Sequence, residues 1–372
     1  MQRLGDYIKE YSARNKLDEE IPVYSVTNSN GFCRDYFGKE VASNNKKTYK
    51  IVPRNAFAYN PSRINVGSVD YQHYEDRVIV SPLYNVFTVD EKILPQYLYF
   101  YLKNPNTIKR IRTVASGSVR DNLKLSMLCE FPIHVPPINK QQNIIEVLEK
   151  IQHIINEKND ELEKLDILIK ARFVEMFGDI DLAPQNKEWT KISDIGEVVS
   201  GSTPKTSIKE YWNGNICWIT PAELSNMSGT IYDSKKKITE HGKSSCSLRM
   251  MPSRTVILSS RAPIGKVALL GKEMCCNQGF KNIICNEKVA PEYLYYLLGY
   301  NTIFLNSLGR GATFKEISKK IVGEIKVPLP AKELQNQFAV FTRQVDKSKF
   351  AVQKSLEKTQ LLFDSLMQEY FG

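Results

Sequence analysis

The 372-residue chain has no apolar run of the roughly 18 to 20 residues that a membrane-spanning helix requires. Its first residues, Met1-Gln2-Arg3-Leu4-Gly5-Asp6, form no apolar signal segment. Histidine is scarce. His73, His134, His153 and His241 stand far apart, which argues against a His-built metal site. The seven cysteines are an odd number without metal-ligand spacing: Cys275 and Cys276 are adjacent, and Cys33, Cys129, Cys217, Cys246 and Cys285 are scattered. This excludes a disulfide framework and points to a reducing cytosol. No phosphate-binding Gly-x-x-x-x-Gly-Lys-Ser/Thr loop is present. The nearest stretch, Gly265 to Gly271-Lys272-Glu273, has the wrong spacing and a Glu where a hydroxyl should bind magnesium. No cofactor is implied.

What remains is ordinary globular composition, 42% apolar and 25% charged, with 51 basic and 41 acidic residues and a net charge of +10. It is also a repeated composition. Glu175-Met176-Phe177-Gly178 matches Glu369-Tyr370-Phe371-Gly372 at an offset of 194, and Gln141 with Ile144 matches Gln335 with Phe338 at the same offset. Ser116-Gly117-Ser118-Val119 falls opposite Arg310-Gly311-Ala312-Thr313, and Pro95-Gln96-Tyr97-Leu98-Tyr99 opposite Pro291-Glu292-Tyr293-Leu294-Tyr295. The chain therefore reads as two copies of one unit of about 190 residues.

Each copy has a globular part and a helical part. In residues 1–137, β-type runs occur at 21–26, 56–59 and 78–80, and one helix is expected over 95–113. Residues 179–330 repeat this, with strands near 216–219, 255–259 and 281–285. Trp212, Trp218, Tyr97, Tyr99, Tyr293 and Tyr295 read as core residues rather than base-stacking platforms. The Pro-rich segments 131–137 and 325–330 end the globular parts. Helical spacers follow at 138–178 and 331–372. In the first, Ile144, Leu148, Ile151, Ile155, Leu162, Leu165, Ile169 and Met176 keep a heptad spacing that Lys158 and Arg172 interrupt. The second has Val352 where the first has Lys158, and Lys349 where the first has Ile155. This predicts a heterotypic antiparallel pair, about 38 residues or ~57 Å long, with one globular module at each end.

The charge separates along the same boundaries. Residues 1–138 hold 19 basic and 14 acidic residues, a net of +5; residues 139–178 hold 6 and 8, a net of −2. Residues 179–332 hold 21 and 14, a net of +7; residues 333–372 hold 5 of each. The excess lies in the globular modules, as suits a long polyanion contacted twice. It clusters at Lys109, Arg110, Arg112, Arg120 and Lys124 in the first, and at Arg310, Lys315, Lys319 and Lys320 in the second, beside glycines that let backbone approach phosphate.

The combination resembles the specificity (S) subunit of type I restriction–modification systems. The second module carries Trp189, Ile192-Ser193-Asp194-Ile195-Gly196-Glu197, Ser200-Gly201-Ser202-Thr203-Pro204-Lys205, Tyr211-Trp212-Asn213-Gly214, Cys217-Trp218-Ile219-Thr220-Pro221, Ser259-Ser260-Arg261-Ala262-Pro263-Ile264-Gly265 and Asn277-Gln278-Gly279-Phe280. The helical regions add Pro136-Pro137-Ile138 with Gln141, and Pro328-Leu329-Pro330 with Gln335. The first module departs from the pattern. It has Ser12-Ala13-Arg14-Asn15-Lys16 in place of the Gly-Ser-Thr-Pro segment, and Tyr59 to Gly67 where the second has Ser259 to Gly265, so that Arg63 corresponds to Arg261. The chain opens on the first module, with no leading helix expected.

The resemblance implies an α+β fold in which two pseudo-symmetric target-recognition domains, mixed β with helices, are joined by a two-helix antiparallel coiled coil. Each domain would read one half of a bipartite double-stranded DNA target. The rod would set the spacing and dock two methyltransferase (M) subunits, which motor-nuclease (R) subunits join. The S subunit would be non-catalytic and cytoplasmic in a prokaryote, with no membrane partner. In keeping with this, the Asp-Pro-Pro-Tyr and Asn-Pro-Pro-Tyr segments of adenine methyltransferases are missing, and no nuclease-type cluster of two acids and a lysine stands at convincing spacing. The rival reading is a free-standing coiled-coil DNA-binding regulator. The expected guanidinium contacts to guanine edges or phosphates are Arg63, Arg120, Arg261 and Arg310. Ser118, Thr203, Asn277 and Gln278 are the polar candidates, Lys109, Lys205 and Lys315 the phosphate holders, and Thr313 lies in the second glycine-rich turn.

Overall fold

Phe57 and Tyr59 point to one side of their strand and Ala58 to the other, the period-two alternation of extended chain. In the computed structural model, which describes residues 2–34, 46–115, 122–246, 248–261, 263–310 and 315–372, this strand sits in a four-stranded antiparallel sheet. Its order is Ile8–Glu10, Asn85–Val89, Phe57–Tyr59, Val69–Tyr71. On one face Phe57, Tyr59, Val69 and Phe87 form a core with Tyr97, Leu98 and Ile111 of the following helices. On the other, Ala58 and Val86 pack on Val26, Phe32, Val52, Val78 and Val80. These come from two-stranded ladders, Ser25–Thr27 with Gly31–Cys33 and Lys50–Pro53 with Arg77–Val80.

The second module repeats this frame. Its sheet runs Gly196–Ser200, Phe280–Cys285, Val256–Ser259, Val267–Leu270, and adds Met227–Ile231 in parallel to the last. The registers agree: Ile8 faces Val89 as Gly196 faces Cys285, and Ala58 faces Val86 as Ile257 faces Asn282. One face packs on the helix Pro291–Tyr300, the other on a three-stranded sheet of Lys236–Ile238, Trp212–Ile219 and Cys275–Cys276. Tyr97, Tyr293 and Tyr295 are buried in these cores and Tyr99 is half-buried, while Trp218 is buried in a separate cluster with Ile238, Leu248 and Cys275.

Two expected elements differ. The helix expected over 95–113 is two helices, Pro95–Lys103 and Pro105–Ala115. Pro105 disfavours helical geometry at the residue before it, and Asn104 is extended at φ −60°, ψ 135°. Of the run 21–26, Ser25 and Val26 alone lie in a strand. Pro22 offers no N–H, and Val23 makes an isolated bridge to Ile79.

The chain divides into two compact units, residues 1–160 with 353–372, and residues 161–352. Both long helices, Ile138–Phe177 and Lys332–Phe371, contribute to each. In the second unit the helix segments run antiparallel: Asp166 pairs with Lys349 at 2.5 Å, the Arg172 guanidinium lies over Phe341, and Phe173 packs on Phe338 with ring centroids 5.5 Å apart. In the first unit Ile145 and Leu148 share a core with Phe363, Leu366 and Met367.

The repeated motifs explain the helix ends. Phe177 packs on Tyr293 at 4.8 Å within the second unit, and Phe371 on Tyr97 at 5.0 Å within the first. At the helix starts, fully buried Gln141 accepts from Leu94 N and donates to Lys92 O and Pro136 O, each at 2.8 Å. Gln335, also fully buried, accepts from Ala290 N at 2.7 Å and donates to Lys288 O and Pro330 O.

Candidate nucleic-acid interface

Three loops of the second module converge at the end of the strand Val256–Ser259. Ser260 N donates to Gly279 O at 2.7 Å, and Ile317 N donates to Ser260 O at 2.9 Å. Arg310 and Glu316 exchange both backbone hydrogen bonds. The turn 259–265 closes on Gly265, whose φ of 97° favours glycine. Lys281 lies beneath, with its side chain 7% exposed. Its Nζ donates to Ser260 Oγ at 3.2 Å, Gln278 O at 3.5 Å and Glu316 Oε1 at 3.2 Å. The other carboxylate oxygen, Oε2, accepts from Arg261 Nε at 3.1 Å. Burial opposes ionisation of Glu316, but the hydrogen bonds from Lys281 and Arg261 outweigh it and hold the carboxyl below its ordinary range.

The expected polar readers of this module sit beside this cluster and are hydrogen-bonded to one another. Both ends of the Asn277 amide are engaged within the protein: Nδ2 donates to Thr203 Oγ1 at 2.9 Å and Oδ1 accepts from Gly279 N at 2.7 Å. Thr203 Oγ1 in turn donates to Gln278 Oε1. A Cβ on Gly201 would stand 2.1 Å from Asn277 O and 2.4 Å from Cys276 O, so glycine alone lets this segment lie against the strand. Lys205, Arg310 and Lys315 are exposed. Arg310 also lines a cleft of about 790 Å³ with Lys281, Ser318, Lys319 and Lys320, a basic recess that extends the expected patch.

In the first module the loop 60–67 occupies the corresponding place. Leu123 N donates to Pro61 O at 3.1 Å, as Ile317 N does to Ser260 O, and Gly67 closes the loop at φ 89°. Counted back from the closing glycines, Arg63 and Arg261 stand at the same position. Counted from the anchoring carbonyls they do not, because the first loop is one residue longer. Arg63 is exposed and lines a cleft of about 550 Å³ with Asn60, Asn28, Thr27 and Tyr24. Lys109 is exposed on the helix Pro105–Ala115. Arg112 of that helix donates from Nε to Asn65 O at 2.8 Å, tying the helix to the Arg63 loop. Ser118, Arg120 and Thr313 lie outside the described residues.

The sequence signal missed Glu316 and Lys281. Glu316 is an acid inside a basic run, and Lys281 reads as one alternating strand position. Neither shows its partner 55 or 35 residues away.

The type I restriction modification DNA specificity domain matches residues 5–164 and again 184–361. The chain belongs to that family. Among similar members, the type I restriction enzyme MjaIX specificity subunit of Methanocaldococcus jannaschii is 44% identical over 178 residues, 46% of this chain and 41% of that protein. The EcoR124I/EcoR124II specificity subunit of Escherichia coli is 26% identical over 258 residues, 65% of this chain and 60% of that protein. These two alignments thus span less than two thirds of the relatives' length. The solved type I restriction-modification S subunit from M. genitalium shares the fold at a TM-score of 0.60 and 15% identity, covering 100% of this chain and 95% of that one. A chain solved in a study of assembly and conformational transition of the type I R-M system gives 0.55 at 18% identity, covering 99% and 96%.

The specificity domain thus occurs twice here, and each copy takes in one loop cluster, 60–67 or 259–265. Among the described residues no helix is long and apolar enough to cross a membrane, and no group of three or more His, Cys, Asp or Glu is placed to hold a metal ion.

Proposed function

We propose that the chain is the sequence-specific DNA-binding specificity subunit of a type I restriction–modification complex, with each globular module reading one half of a bipartite target. The observation that carries this reading is the pair of arginine-bearing loops, 60–67 and 259–265, each held by the same backbone hydrogen bond at the end of the equivalent strand. Arg63, Lys109 and Arg120 with Ser118 serve one half-site. Arg261, Arg310, Lys205, Lys315, Gln278 and Thr313 serve the other, with Thr203 and Asn277 shaping the surface that carries Gln278. The domain limits are 1–137 and 179–330, with helical spacers at 138–178 and 331–372.

The chain is non-catalytic in this reading and works in the cytoplasm of a prokaryote. Two methyltransferase subunits dock on the helices, and motor-nuclease subunits join them. Exposed apolar pairs support two equivalent docking sites: Ile167 and Leu168 on the first helix, Leu361 and Leu362 on the second, 59, 47, 69 and 52% exposed and offset by 194 residues.

Modified-base sequencing of DNA from cells carrying the chain with its methyltransferase partner tests the proposal. A split methylated motif that disappears when the chain is deleted is the expected result. Methylation unchanged by the deletion would sink it.

A further inference from the structure

Arg261 is held in a way that sets it apart from the other ion-paired arginines among the described residues. Arg3, Arg34, Arg54, Arg77, Arg172, Arg249, Arg254 and Arg343 each meet a carboxylate through a terminal nitrogen, Nη1 or Nη2. Arg261 meets Glu316 through Nε. A guanidinium has five N–H donors, and this pairing consumes the one nearest the stem. Among the described residues neither terminal amino group of Arg261 has a hydrogen-bond acceptor, and the side chain is 51% exposed.

Glu316 is itself fixed. Its second oxygen accepts from Lys281, which is almost fully buried and also bonded to Ser260 Oγ. The chain Ser260–Lys281–Glu316–Arg261 runs from the sheet to the surface. It sets the guanidinium before any ligand arrives, so the rotamer freedom of a long side chain is lost on folding and not on binding.

We infer that Glu316 positions Arg261 to read a guanine in the half-site of the second module, with the two terminal amino groups donating to O6 and N7. This rests on the DNA-recognition reading above and deepens it. A phosphate would offer the same paired acceptors. It would, however, bring a full negative charge close to the Glu316 carboxylate, which Lys281 shares with Arg261 but which still stands 3.1 Å from Arg261 Nε and repels a second anion at the fork. A guanine edge is a neutral acceptor pair and meets no such repulsion. Arg310, exposed beside Lys319 and Lys320 and free of an ion pair among the described residues, suits phosphate instead.

The test uses the full chain co-expressed with its methyltransferase partner. The wild-type motif is found by modified-base sequencing, and binding of the purified complex to duplexes altered at one base pair at a time is then measured. Arg261→Ala should relax a single G·C position, cutting discrimination there by about 5- to 150-fold, and leave the other positions intact. Glu316→Gln should relax the same position, and the double variant should be no more relaxed than Arg261→Ala alone. Arg261→Lys keeps the charge without the fork, and should also relax that position. It serves if the alanine variant fails to co-purify with the partner. Uniform weakening on all duplexes would overturn the inference in favour of a phosphate contact, and an unchanged motif in every variant would overturn it outright. If the wild-type chain specifies no motif at all, the underlying DNA-recognition reading fails with it. A wild-type motif that resists all three substitutions sinks the arginine assignment alone.

Discussion

Asn282 is fully buried in the strand Phe280–Cys285, and among the described residues neither its amide nitrogen nor its oxygen has a partner. Its counterpart in the first module, by register, is Val86. An unpaired buried amide costs about 1–3 kcal/mol. Asn282→Val should therefore raise the melting temperature of the unit formed by residues 161–352, by about 2–4 °C for each kcal/mol recovered in a unit of that size, as calorimetry would register. Gln141 and Gln335 are the opposite case, since every donor or acceptor they engage is backbone. Gln141→Ala should strand Leu94 N among others and lower stability by about 2–4 kcal/mol, visible as a lower denaturant midpoint. Glu316 adds a pH dependence. Its folded-state pKa is depressed, so its contribution is present above the ordinary Glu value of 4.5 and is lost as pH falls through the lower folded value. Glu316→Gln should flatten that part of the acid unfolding curve.

At the scale of elements, the helix ends do more than terminate. Phe177 packs with Phe173, Tyr293 and Phe338 in the second unit, and Phe371 with Tyr97 and Tyr101 in the first. Both are partly exposed, so truncation should cost less than the roughly 3–5 kcal/mol of a fully buried Phe. Phe177→Ala should speed amide hydrogen exchange around residues 291–300 and spare 95–103. Phe371→Ala should do the reverse. Equal effects of each on both segments would contradict the pairing. Periodicity made the long helices legible because heptad spacing is a local property, and it showed that Lys349 breaks the apolar seam. It did not show that Asp166 receives Lys349, because the partner depends on how two distant segments are staggered. The division at Asn104-Pro105 was legible in principle, since proline acts on its immediate neighbour, yet the Tyr- and Leu-rich run around it reads as one helix.

Across the whole chain, the net +10 resolves into +5 and +7 on the modules and −2 and 0 on the helices. If both modules contact DNA, affinity should fall steeply with salt, and the logarithmic slope should shrink by about one for each phosphate-holding lysine removed. Lys315→Ala should weaken all duplexes alike, whereas Arg261→Ala should weaken one sequence class. Titration of both variants at several salt concentrations separates the two behaviours.

The sequence by itself determined the repeat, the helical spacers, the placement of charge and the motifs of the specificity family. Each is carried by residue type and short-range spacing, which chain order records directly. Only the tertiary structure decided which polar side chains are engaged inside the protein and which are presented outward. Asn277 reads as a base contact, and the fold ties one of its amide N–H groups to Thr203, 74 residues earlier, and its oxygen to Gly279 N. Arg261 reads as one guanidinium among several until Glu316, 55 residues later, takes its Nε and leaves the fork without an acceptor among the described residues. Hydrogen bonds are satisfied between whatever the fold brings within about 3 Å. Separation along the chain holds no record of that distance.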